Sequence, residues 1–259
     1  MPFASPESFA KQTIASIQEY SILCWRAVTN LFSSPRYWAD IYTQMDSIGV
    51  GSMPIIVLTG FFTGCVLALQ SATSLQEFGS VSLTGNLVAL SMVKELGPVL
   101  TGLMVSGRNA SGMASEIGSM KVTEQIDAMR ALGTDPLRKL VTPRLYATVF
   151  MLFFLTVLSD AFGIAGGALV SVTIMGLNTS SYFHNSYRAL QYGDVVQGLT
   201  KPLFSGFIIA TVGCYFGMTT KGGTQGVGRS TTQAVVVSSI FIIIVDLLVT
   251  RAMIGVFGR

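Results

Sequence analysis

Residues Glu95 to Pro143 read ELGPVLTGLMVSGRNASGMASEIGSMKVTEQIDAMRALGTDPLRKLVTP. A hydrophobic segment leads into small residues, and a short charged segment follows that ends near Gly133 and Pro136. Glycine suits a left-handed helix C-cap and proline prevents continuation, so the pattern predicts a short, sharply bounded helix. A second hydrophobic segment begins directly after it. A polar helix between two membrane spans indicates a docking point for another protein on that side of the membrane.

The composition indicates an integral membrane protein. Of the 259 residues, 50% are hydrophobic and 11% are charged, against roughly 25% charged residues in soluble domains. A soluble protein of this length needs more polar surface, because exposed apolar patches promote aggregation. The chain is therefore predicted to form a single membrane domain over residues 1–259. The net charge of +3, without a dense Lys/Arg stripe, argues against a nucleic-acid partner.

Five apolar segments are long enough to cross a bilayer, which requires about 20 helical residues. They cover approximately residues 47–74, 83–106, 145–175, 195–218 and 234–257. The predicted fold is an all-α integral membrane protein with a five-span bundle over residues 46–259, preceded by a helix and lead-in over residues 1–45. GxxxG pairs favour close packing of the spans or a dimer seam. These glycines are Gly60 and Gly64, Gly163 and Gly167, and Gly213 and Gly217.

The segment from about Ser5 to Phe32 is predicted to be an interfacial helix. Trp25 and Trp38 lie in or just after it, and tryptophan prefers the lipid headgroup layer. We expect the helix to lie on the membrane; the alternative is a cytosolic helix packed on the rest of the protein. Its apolar face is formed by residues that recur every three or four positions, namely Ile14, Ile17, Ser21, Cys24, Val28 and Leu31.

Basic residues set the expected orientation. Most of the 16 lysines and arginines lie in the N-terminal segment, between spans two and three, and between spans four and five. Basic residues concentrate on the cytoplasmic side of membrane proteins. The N-terminus and the charged helix are therefore predicted to be cytoplasmic, and the C-terminus lies on the opposite side.

The charged helix is predicted over residues 122–133. Thr123 is expected to cap it, and Glu124 and Asp127 favour its positive N-terminal end. Asp127 and Arg130 are three residues apart and can pair. The alternative is a loop helix lying on lipid headgroups, which its acidic face fits poorly because the inner leaflet is anionic. The predicted apolar edge consists of Ile126, Met129 and Leu132.

Ionisable residues at membrane depth are the candidates for a functional site. Lys94 and Glu95 are adjacent, so they point about 100° apart on a helix and cannot both face one partner directly. Pro98 loosens the backbone hydrogen bonding beside them. Two interpretations remain open: a polar cavity at the second span, or pairing between helices that holds the bundle together.

Further charges are predicted to form an intramembrane network. Asp194 and Lys201 are seven residues apart, too distant for a direct bond. Asp160 and Asp246 either pair with a cation or have a mechanistic role, and burial favours a neutral acid over an unpaired charge. The cations available to these two acids are Lys94, Lys201 and Arg251.

Motifs for catalysis and metal binding are not expected in this chain. His184 is the only histidine, which excludes HExxH, histidine-based metal clusters and a Ser-His-Asp triad. The sequence KGGTQGVG at residues 221–228 lacks the glycine, lysine and serine order of a P-loop. The three cysteines are odd in number and far apart, so packed thiols are expected.

The chain resembles the MlaE-type permease family, also called the YrbE or TGD permeases, over essentially its whole length. These proteins are membrane subunits of MCE-associated ABC transporters that move lipids. The residues that carry the resemblance are Glu95-Leu-Gly-Pro98, Gly107-Arg108, Ala114-Ser-Glu-Ile-Gly118, Met120-Lys121, Thr123-Glu-Gln-Ile-Asp127, Asp135-Pro136-Leu-Arg138 and Pro143-Arg144.

The resemblance implies a set of partners in a bacterial inner membrane. Two permease copies form a central homodimer, and a cytoplasmic ABC ATPase docks on the charged helix. ATP and magnesium bind to that ATPase, so no cofactor is expected in this chain. A STAS-domain protein attaches to the ATPase, and a hexameric MCE-domain protein caps the periplasmic side. The coupling residues are Thr123, Glu124, Gln125, Asp127 and Arg130.

The resemblance further implies phospholipid as the substrate and a contribution to outer-membrane lipid asymmetry. Lys94 stands where other members often carry arginine, which keeps the charge but loses the bidentate fork that suits phosphate. Two other classes compete with this interpretation: a proton-coupled secondary transporter, which often has an inverted repeat, and a structural membrane scaffold. The lipid-binding positions implied are Leu67, Leu75, Phe78, Lys94, Glu95 and Leu96.

Overall fold

The computed structural model describes residues 6–31 and 37–257, and these residues form helices connected by short turns. The ends of the predicted interfacial helix, Ser5 and Phe32, lie outside the described residues. The α-helices are α1 (Pro6–Leu31), α2 (Trp38–Met45), α3 (Gly51–Gln76), α4 (Thr84–Ser91), α5 (Gly97–Val105), α6 (Ser111–Val122), α7 (Gln125–Ala131), α8 (Thr142–Thr173), α9 (Thr179–Ala189), α10 (Tyr192–Met218) and α11 (Gly223–Phe257).

Within the described residues, five continuous helical segments are long and apolar enough to cross a membrane, which confirms the predicted all-α fold. We number them spans 1 to 5. They are longer than the apolar sequence segments, and span 2 has 42 residues, or about 60 Å of helix, against a hydrocarbon core of about 30 Å. The spans are Trp38–Gln76, Val81–Val122, Leu137–Thr173, Tyr192–Met218 and Gly223–Val256.

Four π-helical turns lie within the first three spans, at Asp46–Val50, Met92–Leu96, Ser106–Ala110 and Leu137–Val141. A π-turn adds one residue to a helical turn and rotates the side chains that follow. The turn at Met92–Leu96 ends where the backbone N–H of Gly97 donates to the carbonyl of Met92. Pro98 follows and has no N–H to complete a regular turn.

Glycines bring span 1 and span 3 into backbone contact. A Cβ atom on Gly64 would lie 1.8 Å from the carbonyl oxygen of Gly163, and one on Gly60 would lie 2.7 Å from the carbonyl oxygen of Ser159. The predicted role of these GxxxG pairs in helix packing is therefore confirmed within one chain. Close approach of this kind gains dispersion contacts that lipid cannot replace.

We expect Gly64→Ala to lower the melting temperature of the detergent-solubilised protein. The added methyl would overlap backbone atoms of span 3, and overpacking of this kind costs about 1–3 kcal/mol. Gly255→Ala is the matched control, because its Cβ would meet no atom within 4 Å. Equal melting temperatures for the two variants would contradict the close contact between spans 1 and 3.

Helix α1 packs on the bundle through residues outside the predicted apolar face, and most of that face is exposed. Leu23 and Ala27 are buried, and the hydroxyl of Tyr20 lies 2.9 Å from that of Thr211 in span 4. Ile14 and Ile17 are 64% and 60% exposed. The helix therefore combines the two interpretations: one side contacts spans 3 and 4, and an apolar side remains open.

Candidate functional site

Span 4 passes close to the π-turn that carries Lys94 and Glu95. A Cβ atom on Gly198 would lie 2.0 Å from the carbonyl oxygen of Val93, so only glycine permits this approach. The approach places the two charged residues of span 2 beside the polar face of α10. That face presents Asp194 and Lys201, which lie four residues before and three residues after the glycine.

Each of the two adjacent residues has its own partner on span 4. Lys94 Nζ lies 3.0 Å from Asp194 Oδ1, and Glu95 Oε2 contacts Lys201 Nζ. Lys201 Nζ also lies 2.9 Å from Asp246 Oδ1 of span 5, and its side chain is only 2% exposed. We call Lys94, Glu95, Asp194, Lys201 and Asp246 the charge network.

Neutral groups complete the charge network, and sequence analysis did not identify them. The amide of Gln197 and the hydroxyl of Thr250 each donate to Glu95 Oε1 at 3.3 Å. Gln197 lies between Asp194 and Lys201 at helical spacing, and Thr250 lies one turn after Asp246. This spacing on shared helix faces is the signal that would have identified both residues.

The charge network confirms the pairing interpretation for five of the six predicted intramembrane charges, and two of the five remain partly exposed. As predicted, Asp194 and Lys201 do not bond each other, and Asp246 does find a lysine. The paired side chains of Lys94 and Glu95 remain 27% and 41% exposed. Paired charges therefore reach the surface at membrane depth, where a polar ligand group can meet them.

Asp160 does not join the charge network, so the expectation that a lysine or arginine pairs with it is wrong. Its residue exposure is 8%, and its Oδ1 atom has no hydrogen-bond partner among the described residues. Lys94 and Lys201 are engaged by other acids. Arg251, the third predicted cation, is exposed near the end of span 5.

Two of the predicted lipid-binding leucines share a cleft. Leu67 of span 1 and Leu96 of span 2 line an open cleft of about 340 Å³. Leu96 directly follows Glu95 in the chain, but no member of the charge network lines the cleft. Leu75 and Phe78 lie near the far end of span 1, where Phe78 is 78% exposed, and neither lines this cleft. The other lining residues are Phe62, Thr63, Val66 and Gln70.

A larger apolar groove of about 780 Å³ lies on another side of the bundle, between spans 3 and 4 and the end of α1. It is lined by Phe150, Phe154 and Phe204 among others, and no member of the charge network borders it. Size alone does not make it the functional site, because an open apolar surface is ordinary for a protein in lipid. The smaller cleft includes Leu96, which directly follows Glu95 of the charge network in the chain.

Helix α7 begins three residues later than predicted, at Gln125. Thr123 ends α6, with its hydroxyl donating to the carbonyl of Ser119, so its predicted role as the cap of α7 is wrong. Glu124 precedes α7 with a φ of 58°, in the left-handed region that few non-glycine residues adopt. Gly133 has a φ of 77°, which confirms the predicted glycine conformation at the C-terminal end.

One side of α7 is fixed in the core and the other is free. Ile126 is 1% exposed and belongs to the hydrophobic cluster with Ile117 and Leu23. Met129 packs against the same cluster, whereas Leu132 is 83% exposed, so the predicted apolar edge is only partly buried. All five predicted coupling residues are exposed: Thr123, Glu124, Gln125, Asp127 and Arg130.

The acidic charge on α7 is held by two cations. Asp127 accepts hydrogen bonds from Lys121 at 2.8 Å and from Arg130 at 3.1 Å, which confirms the predicted pair with Arg130. Both cations lower the pKa of the Asp127 carboxyl, and the Lys121 ammonium has the larger effect. Because the pKa of Asp127 is lowered in the folded state, its ion pairs with Lys121 and Arg130 contribute their full stabilisation above the ordinary aspartate pKa. That stabilisation is lost only as the pH falls into the acid range. The charge pattern is therefore constant at neutral pH.

Comparisons with known proteins agree on one family. The family described as Permease MlaE matches residues 41–252. A probable ABC transporter permease protein of Rickettsia bellii is 42% identical over 94% of this chain and 95% of its own. The intermembrane phospholipid transport system permease protein MlaE of Haemophilus influenzae is 36% identical over 85% of each chain. The chloroplastic TRIGALACTOSYLDIACYLGLYCEROL 1 protein of Arabidopsis thaliana is 36% identical over 87% of this chain and 64% of its own.

Proposed function

The chain belongs to the MlaE permease family, and on that premise we propose that it is the membrane subunit of an ATP-driven transporter that moves phospholipid between the bacterial inner membrane and a periplasmic MCE-domain protein. The observation that carries this proposal is the apolar cleft whose wall includes Leu96, the residue that directly follows the paired and partly exposed Lys94 and Glu95 in span 2. A phospholipid has the same two parts, apolar tails and a charged headgroup.

The chemistry of the site fits that ligand. Apolar side chains of spans 1 and 2 line most of the cleft and suit acyl tails. Lys94 supplies a positive charge for the headgroup phosphate, and its partial exposure leaves room for a second acceptor besides Asp194. Leu75 and Phe78 mark the route toward the far end of span 1, where a periplasmic partner receives the lipid.

The position of α7 supports a role in coupling. It connects spans 2 and 3, and Ile126 fixes it to the cluster that also contains α1 and span 4 residues. Movement of α7 by an attached ATPase therefore transmits to the helices that carry the charge network. ATP and magnesium bind on that ATPase, and this chain needs no cofactor of its own.

The rest of the assembly follows from the same premise. Two copies of the chain form a homodimer with the lipid between them, with the N-terminus and α7 in the cytoplasm and the C-terminus in the periplasm. A STAS-domain protein binds the ATPase, and a hexameric MCE-domain protein covers the periplasmic face. Retrieval or delivery of phospholipid by this route contributes to the lipid asymmetry of the outer membrane.

Reconstitution tests the proposed function. The permease, its ATPase and the MCE-domain protein are placed in liposomes with a fluorescent phospholipid, and transfer to the MCE-domain protein is followed with and without ATP. We expect ATP to accelerate transfer, with no change when a pH gradient is imposed instead. Transfer driven by the pH gradient alone would indicate a secondary transporter, and the absence of transfer under both conditions would indicate a scaffold.

A further inference from the structure

A buried carboxyl group lies outside the charge network. Asp160 is in α8 of span 3, it is 8% exposed, and its Oδ1 atom has no hydrogen-bond partner among the residues that the structure describes. A buried carboxylate without a cation or hydrogen-bond donors is strongly disfavoured, whereas the protonated acid is neutral. The role of this group does not depend on lipid transport.

The carboxyl group is packed against the backbone of span 2. A Cβ atom on Gly97 would lie 1.7 Å from Asp160 Oδ1 and 2.8 Å from its Cγ, so the carboxyl occupies the space that the glycine leaves open. The carbonyl oxygen of Met92 lies 3.0 Å from the same Cβ position on Gly97. The contact is therefore made at the end of the π-turn that carries Lys94 and Glu95.

Among the residues that the structure describes, the charged groups on neighbouring helices offer Asp160 no counter-ion. Lys94 is paired with Asp194, and Lys201 is shared between Glu95 and Asp246. Span 1 carries no charged residue between Asp46 and Glu77, and α4 and α5 carry none. On the α9 side, the hydroxyl of Tyr182 donates to the carbonyl of Ile164, one turn after Asp160.

We propose that Asp160 is a proton-binding site: its carboxyl takes up one proton from water and stays a neutral acid while spans 2 and 3 are packed together. Ionisation is favoured when water or a cation reaches the carboxyl, and movement of the Gly97 backbone away from it would open Oδ1 to them. The packed arrangement therefore binds the proton more tightly than a separated one. By linkage, acid favours the packed arrangement and alkaline pH favours separation.

Infrared spectroscopy of the full chain in lipid nanodiscs tests the proton directly. We expect the spectrum at neutral pH to contain the C=O stretching band of a protonated carboxyl, shifted in heavy water and lost in Asp160→Asn. Asp135→Asn is the matched control: Asp135 is about half exposed and bonds a backbone N–H, so this variant should lose carboxylate bands instead. Loss of carboxylate bands in Asp160→Asn would overturn the proposal.

Two further measurements keep the test decisive if Asp160→Asn does not fold. Carboxyl-¹³C aspartate labelling of the unmodified chain should shift the protonated band, and an unshifted or missing band contradicts the proposal. Gly97→Ala should displace the carboxyl and lower the melting temperature, and Asp160→Ala in the same chain should recover part of that loss. Additive effects of the two substitutions would show that the carboxyl does not occupy the space at Gly97.

Discussion

Replacing Lys201 with methionine is expected to abolish ATP-dependent lipid transfer and to destabilise the protein. Lys201 is 2% exposed and is the one cation that contacts both Glu95 and Asp246 within the described charge network. Its removal leaves two acids facing each other at membrane depth. Breaking a buried ion pair in this way costs about 3–5 kcal/mol, and the partial exposure of Glu95 places the expected loss toward the lower end.

A compensated variant separates the structural role of Lys201 from its functional role. Lys201→Met combined with Glu95→Gln and Asp246→Asn removes the cation together with both of its acids, so no charge is left unpaired. We expect this triple variant to regain most of the lost melting temperature and still to fail in lipid transfer. Full transfer by the triple variant would show that these charges serve stability alone.

The second large effect is expected from charge reversal on α7. Glu124→Lys with Asp127→Lys removes two exposed acids and places new cations beside Lys121 and Arg130. Loss of charged contacts across an interface costs about 2–5 kcal/mol, so the ATPase should bind about 30-fold more weakly or worse. Co-purification of the ATPase with tagged permease measures the effect, and the variant should still insert into the membrane.

The control for charge reversal is Glu77→Lys, an exposed acid near the far end of span 1. It changes the charge in the same sense but leaves α7 intact, so ATPase binding should be unchanged. Glu124→Gly separates charge from backbone conformation, because glycine relieves the φ of 58° while still removing the acid. Undiminished ATPase binding by the double lysine variant would remove α7 from the docking surface.

Hydrophobic pattern was sufficient to predict the five spans, but not their lengths. Span 2 was predicted to end near Ser106, because charged and small residues follow, yet the helix continues to Val122. A helix does not stop where the bilayer stops; it ends where its hydrogen bonding ends, here at the turn formed by Thr123 and Glu124. That turn depends on a left-handed glutamate, which residue preference alone argues against.

The charge network was predictable in its members but not in its pairs. Charged side chains are costly in lipid, and this identified the members of the charge network as a group. They are Lys94, Glu95, Asp194, Lys201 and Asp246. Their partners depend on the π-turn at Met92–Leu96 and on the close approach at Gly198, which are tertiary features. Asp160 shows the limit most clearly, because its cavity is created by the missing side chain of Gly97 on another helix.

Native mass spectrometry of the permease co-expressed with its ATPase tests whether this chain is the lipid-holding subunit of an ATP-driven transporter. We expect a complex that contains two copies of this chain, bound ATPase and retained phospholipid. Single permease chains that carry neither ATPase nor lipid, under conditions in which the unmodified complex transfers lipid, would contradict it.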